Sequence, residues 1–231
     1  MSLAPAMPQK ARAGAPAFGA SLAPRAAPRG LPTGPGIVHV RGRRLSLSFE
    51  ARRCIHARQC VTGLPGVFKA NTPGEWLFPD QASPDRLATV AQACPSGAIQ
   101  YTRHDGGEEE QAPEVNLVHV RENGPLALRA TLRIAGQPCG YRATLCRCGH
   151  SKNKPYCDGR HAPAGFVASG EPPTQDSAPL AVRGGPLEVT AVLDGPLRVR
   201  GNLEICSGTG RQVARVTEAQ LCRCGHSKNK P

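Results

Sequence analysis

Ten consecutive residues, C-R-C-G-H-S-K-N-K-P, occur twice in this chain, from Cys146 to Pro155 and again from Cys222 to Pro231. Upstream of each the chain repeats more loosely. Gly124 to Ile134 read G-P-L-A-L-R-A-T-L-R-I, and Gly195 to Ile205 read G-P-L-R-V-R-G-N-L-E-I. A tandem duplication with a period of about 71 to 76 residues restricts the C-terminal half to two copies of one small fold. In each copy apolar and polar residues alternate, as in Leu126, Leu128 and Ala130 or Leu197, Val199 and Gly201. That period predicts short strands ahead of each cysteine loop, a small β-rich cap feeding a metal-binding turn.

The first loop continues through Tyr156 to Cys157, Asp158, Gly159, Arg160 and His161. Three thiols and an imidazole within so short a stretch are too compact for a disulfide framework and suit a metal centre. Cys146 and Cys148 can grip one metal ion as a pair. Cys157 and His161 lie four apart, so a turn opening into one helical turn would aim both at a second ion. A structural zinc ion on the same donors is the alternative. Zinc ligand pairs typically sit two to four residues apart, which makes a C-x-C pair unusually tight and favours a cluster.

The cysteine spacing, the intervening Ser151, Lys154 and Pro155, and the Asp158-Gly159 step resemble the CDGSH iron-sulfur family. The resemblance implies a 2Fe-2S cluster held by Cys146, Cys148, Cys157 and His161. It also implies that two such units pair around their clusters, which tandem copies can do within one chain and single chains as a homodimer. One position departs: the family usually carries a small residue before the histidine, and Arg160 adds charge there. In the second copy only Cys222 and Cys224 stand at ligand positions before Pro231. Two thiolates cannot complete such a cluster, so this unit is expected to be truncated because the chain is a fragment of a longer protein, with a degenerate copy as the alternative. Cys139 and Cys206 lack counterparts between the copies and are expected to be packed free thiols. His150 and His226 recur between ligand positions and are expected to be solvated neighbours of the ligands.

A different pattern occupies Val38 to Thr102. Cys54-Ile55-His56-Ala57-Arg58-Gln59-Cys60 is followed at a distance by Cys94-Pro95. Ser83 is a good N-cap, Pro84 a good first helical residue, and Leu87, Val90 and Ala91 form an apolar stripe ending at Cys94. Bacterial ferredoxins bind through C-x2-C-x2-C and a distant Cys-Pro; here Cys54 and Cys60 have the outer spacing and Ala57 the middle place. The stretch resembles the divergent single-cluster 4Fe-4S ferredoxin domain of bacteria. With the middle thiolate missing, the resemblance leaves a 3Fe-4S cluster, or a 4Fe-4S cluster completed by His56 or a non-protein ligand.

The expected fold class is α+β: a disordered Ala/Pro-rich tail at 1–36, a ferredoxin-like module at 37–104, a first CDGSH unit at 115–170, a linker at 171–184 and a second unit at 185–231. Only 4% of residues are aromatic, while Gly (26) and Pro (23) are abundant, which argues against one large core. Ten cysteines without an apolar N-terminal leader suit metal ligands in a reducing, cytoplasmic setting. No apolar run is long enough to span a membrane. A net charge of +12 admits nucleic acid, an anionic surface or an acidic protein as partner, but no aromatic-interleaved basic platform favours nucleic acid. No paired acid and base, nucleophile constellation or phosphate loop marks an enzyme. The sequence thus predicts a one-electron carrier serving an unidentified redox partner. The alternatives are a cluster-transfer or sensor protein and, behind it, a zinc-bearing nucleic-acid binder.

Overall fold

A computed structural model describes residues 34, 36–228 and 230–231, so nearly all of the expected N-terminal tail lies outside the described residues. The first module is a three-stranded antiparallel sheet in the order β1 (Ile37–Arg41), β2 (Leu45–Glu50), β3 (Ile99–Arg103). Two helices, α1 (Gln59–Gly63) and α2 (Pro84–Gln92), are inserted between β2 and β3. Leu47, Phe68, Leu87, Ala91 and Ile99 are all but fully buried between helix and sheet. Ser83 takes the N-cap place of α2 with extended backbone, yet its hydroxyl makes no capping hydrogen bond. Pro84 at the helix start needs no partner there, because the first N–H groups of a helix have none within it. At the other end the Cys94 N–H donates to the Ala91 carbonyl at 3.1 Å, so the helix exit delivers that thiol beside the sheet.

The two repeats do not form separate units. β4 (Leu117–Val120), β5 (Leu126–Ile134), β6 (Gln137–Leu145), β7 (Pro186–Ala191), β8 (Leu197–Cys206) and β9 (Gln212–Leu221) make one six-stranded sheet. β4 runs antiparallel to the start of β5 and parallel to the end of β8, with Val118 opposite both Leu128 and Ile205. β7 mirrors it, antiparallel to the start of β8 and parallel to the end of β5, with Val189 opposite both Val199 and Ile134. Each repeat's short first strand is therefore held by its own hairpin and by the other repeat's. Both long strands shift register at the same place in the repeat, between Arg129 and Leu132 and between Arg200 and Leu203. Those irregularities bend each strand where its neighbour changes.

The physical reason is burial. Sharing strands merges two thin cores into one, and a larger core buries a greater fraction of the chain's apolar surface. Val118, Leu126, Leu128 and Leu132 pack with Leu187, Val189, Leu197 and Leu203 in that single core. The stretch expected as a linker, 171–184, has no regular structure but is pinned to the second repeat. The Gln175 N–H donates to the Val213 carbonyl at 2.8 Å, and Arg183 pairs with the buried Glu204 at 2.6 Å. Among the described residues the chain is mostly β with few helices; both α-helices lie before Ile99, in the first module, and the CDGSH repeats that follow are β-rich, as expected. No helix among the described residues is long and apolar enough to cross a membrane.

Candidate metal centres

β6 ends at Leu145, and the next three residues carry the first two donors. Cys146 and Cys148 are buried with their sulfurs 3.8 Å apart. The Cys157 sulfur lies 3.4 Å from His161 Nδ1, with Cys157 buried and His161 half-buried. The backbone brings the pairs together: the Cys146 N–H donates to the Pro155 carbonyl at 2.8 Å, and the Cys157 N–H to the Thr144 carbonyl at 2.9 Å. Ser151 fixes the loop between them, donating from Oγ to the Tyr156 carbonyl at 2.7 Å and accepting from the Asn153 N–H at 3.0 Å. Asp158 does the same for the far side, accepting from the Lys152 and Arg160 N–H groups. The Arg160 guanidinium pairs with that carboxylate at 3.0 Å, so its charge is spent largely on Asp158. From Arg160 onward the chain makes turns closed by the Ala164 N–H to Arg160 carbonyl bond, so the turn lies just beyond the Cys157–His161 stretch where one helical turn was expected.

Backbone N–H groups meet the sulfurs, a feature that ligand spacing does not reveal. His150 N–H donates to Cys148 Sγ and Gly159 N–H to Cys157 Sγ, each at 3.4 Å. The His150 contribution is thus its amide; its exposed side chain fits the expectation of a non-ligand. Burial pushes the Cys157 thiol up to about 11, and repulsion from Cys146 and Cys148 adds to it. Burial likewise raises the Cys148 thiol and lowers the His161 imidazole. Buried donors that resist becoming thiolates on their own are what a bound cation offsets. Arg147, between the two cysteines and almost wholly buried, donates to the carbonyls of Gly124, Arg121, Ala168 and Ser169 and so ties the loop to the hairpin tip.

In the first module Cys54, Cys60 and Cys94 line one small, largely apolar pocket with Phe49, Pro95 and Ile99. Burial raises the Cys54 and Cys60 thiols, and each is raised further by Cys94, so the three are near enough to repel one another. His56 and Arg58 hold positive φ values of 55° and 63°, which folds the cysteine loop tightly. Ala57 lines the pocket as the register of the motif requires. His56 is exposed and is not among the lining residues.

With the two donor sets in place, the chain can be set against known proteins. The profile described as "Divergent 4Fe-4S mono-cluster" matches residues 40–104, and "Iron-binding zinc finger CDGSH type" matches 97–162 and 194–231. The chain belongs to both families. The protein named "Uncharacterized protein YjdI" from Escherichia coli K12 is 32% identical over 63 residues, which are 27% of this chain and 80% of that protein. Its counterpart in Escherichia coli O157:H7 matches equally. No solved structure matches the chain.

The CDGSH donors fit an iron-sulfur cluster. They are a pair of thiols 3.8 Å apart and a thiol beside an imidazole nitrogen at 3.4 Å, the sulfur and nitrogen donors such a cluster takes. In the second CDGSH repeat the Cys222 and Cys224 sulfurs are 3.4 Å apart, and the His226 N–H donates to Cys224 Sγ at 3.4 Å. Cys148 and Cys224 pair as an antiparallel bridge, which brings the two CDGSH loops back to back. The approach requires glycine on both sides. A Cβ on Gly149 would sit 2.5 Å from the Cys224 carbonyl oxygen, and one on Gly225 would sit 2.6 Å from that of Cys148. Cys139 and Cys206 are buried free thiols, as expected of residues outside the repeat, and Cys139 lies 3.5 Å from the Tyr156 hydroxyl.

Proposed function

We propose that the chain is a one-electron carrier, with a 2Fe-2S cluster on Cys146, Cys148, Cys157 and His161 and a 3Fe-4S or 4Fe-4S cluster on Cys54, Cys60 and Cys94. A bound iron-sulfur cluster takes up and gives up single electrons. The chain's residues do the rest. Apolar walls such as Phe49 and Ile99 keep water from the three-cysteine pocket, and amide N–H groups aimed at Cys148 and Cys157 favour their thiolates. In this reading β1 to β3 with α1 and α2 form a ferredoxin-like α+β module, and the fused repeats form a CDGSH pair within one chain.

The observation that carries the proposal is that the two donor sets flank one interface. Arg53, next to Cys54, and Tyr156, next to Cys157, meet with the guanidinium carbon 5.7 Å from the ring centroid. Two redox sites held on either side of a packed contact suit relay of electrons better than independent storage. The ten cysteines are all unpaired, in keeping with a reducing, cytoplasmic setting, and the donors are arranged to hold a redox group rather than to transform a substrate.

A second reading, cluster transfer or sensing, is favoured by one observation: His161 is half-buried while the three cysteines beside it are buried. Mixing loaded protein with an apo-ferredoxin separates the two. Reversible electron exchange with iron retained supports the carrier; movement of iron and sulfide to the acceptor supports transfer.

A further inference from the structure

We propose that Arg142, a residue of the first CDGSH repeat, is a positioning residue for the cluster of the other module. The proposal rests on the reading that Cys54, Cys60 and Cys94 hold one. Arg142 sits on β6, the strand that runs into Cys146, and is 4% exposed. Its guanidinium leaves its own sheet and enters the first module. Nη1 donates to the Cys94 carbonyl at 2.7 Å and to the Ala91 carbonyl at 2.6 Å, and Nη2 to the Ile99 carbonyl at 3.3 Å. The group therefore grips the peptide of a ligand cysteine, the helix exit before it and the strand start after it.

The return contact runs the other way. The Arg142 carbonyl accepts from Arg53 Nη2 at 2.5 Å, and Arg53 also donates to the Ser96 carbonyl at 2.9 Å. Gly97 closes the contact: a Cβ there would lie 2.5 Å from the Arg142 oxygen, and its φ of +63° suits glycine. One strand of the CDGSH sheet thus fixes the backbone next to both Cys54 and Cys94.

The charge matters as well as the bonds. A cation within hydrogen-bond reach of the Cys94 peptide favours the reduced, more negative state of a cluster on that sulfur. Glu110 holds the other face of the guanidinium at 2.8 and 2.7 Å and opposes part of that field. Arg142 and Glu110 form a charge pair whose two members pull the potential in opposite directions.

The test is a potentiometric titration, followed by electron paramagnetic resonance, of the full chain and of Arg142→Gln, Arg142→Lys and Glu110→Gln. The expected result is a midpoint for the Cys54/Cys60/Cys94 signal that moves to lower potential in Arg142→Gln and to higher potential in Glu110→Gln, with Arg142→Lys between Arg142→Gln and wild type. The CDGSH signal serves as the internal control for folding and moves less. Shifts of the same sign in Arg142→Gln and Glu110→Gln, or none in either, would overturn the assignment. Absence of any signal dependent on Cys54 in wild-type protein would instead sink the cluster reading beneath it.

Discussion

The two copies of C-R-C-G-H-S-K-N-K-P have one sequence and two environments. Both fold the same tight turn, with the amide two residues after the second cysteine donating to its sulfur at 3.4 Å. In the first copy Cys146 and Cys148 are buried, and burial raises the Cys148 thiol. In the second Cys224 is exposed, and the same amide bond, with the Cys222 thiol behind it, lowers its pKa. The turn is thus a local property of the ten residues, whereas thiol acidity is set by what lies over them. Over the first loop lie Tyr156, the turns through Phe166 and the first module, with Arg147 stacked on the Phe166 ring at 5.4 Å. Among the described residues the equivalent Arg223 donates to two carbonyls, those of Gly195 and Val192.

The largest effect that sharpens this comparison is ligand loss. Cys148→Ser removes the iron of the first loop entirely, while Cys224→Ser leaves that iron in place; iron per chain and the visible spectrum report both. Equal losses would mean that the two loops hold metal jointly. Alkylation of metal-free protein comes next. Cys224 reacts roughly tenfold or more faster than Cys148 near neutral pH, because the thiolate is the nucleophile: burial dominates and raises the Cys148 thiol, whereas hydrogen bonds dominate and lower the exposed Cys224. Mass spectrometry of timed digests measures the ratio, and equal rates would contradict the burial account.

The paired arginines give a stability comparison. Arg147→Met strands several buried carbonyls and costs about 3 kcal/mol, against about 1 kcal/mol for the half-exposed Arg223→Met. Urea unfolding of the two variants gives the difference, and equal costs would show that the loops are anchored alike.

His161 supplies the smaller effect. An imidazole places less negative charge on iron than a thiolate, so His161→Cys lowers the potential of the first-loop cluster by roughly 100 mV. The pH sign follows from burial, which holds His161 below its ordinary pKa of 6.5. The neutral ring is the native form, so its contribution is present above about pH 6.5 and is lost as pH falls through the lower folded value. Protonation also removes the lone pair that binds metal, so cluster decay accelerates on acidification in wild type and is slowed in His161→Cys. Matching midpoints and matching decay would show that His161 is not a ligand.

Much of the candidate site was readable from residues because its geometry is local. The C-x-C pair, the Asp158-Gly159 step and the Cys94 exit from α2 each depend on neighbours within a few positions. The sharing of strands was not readable. Val118 and Val189 alternate as any half-buried strand does, and nothing in that period says which hairpin will hold them. Arg142 and Arg147 were missed for the same reason. In sequence each is a basic residue among strands and loops, and only the packed carbonyls of Cys94 or Ala168 give it a partner. The N-cap at Ser83 was read correctly in place, but its hydroxyl makes no capping hydrogen bond.

The central claim is that one chain carries two chemically distinct iron-sulfur sites. Low-temperature electron paramagnetic resonance of anaerobically isolated protein, stepped through reduction and paired with iron, sulfide and zinc analysis, tests it most directly. Two signals with separate midpoints are predicted, one lost in Cys54→Ser and the other in Cys157→Ser, with acid-labile sulfide present and zinc negligible. Colourless protein with stoichiometric zinc, or one signal removed by either substitution, would contradict it.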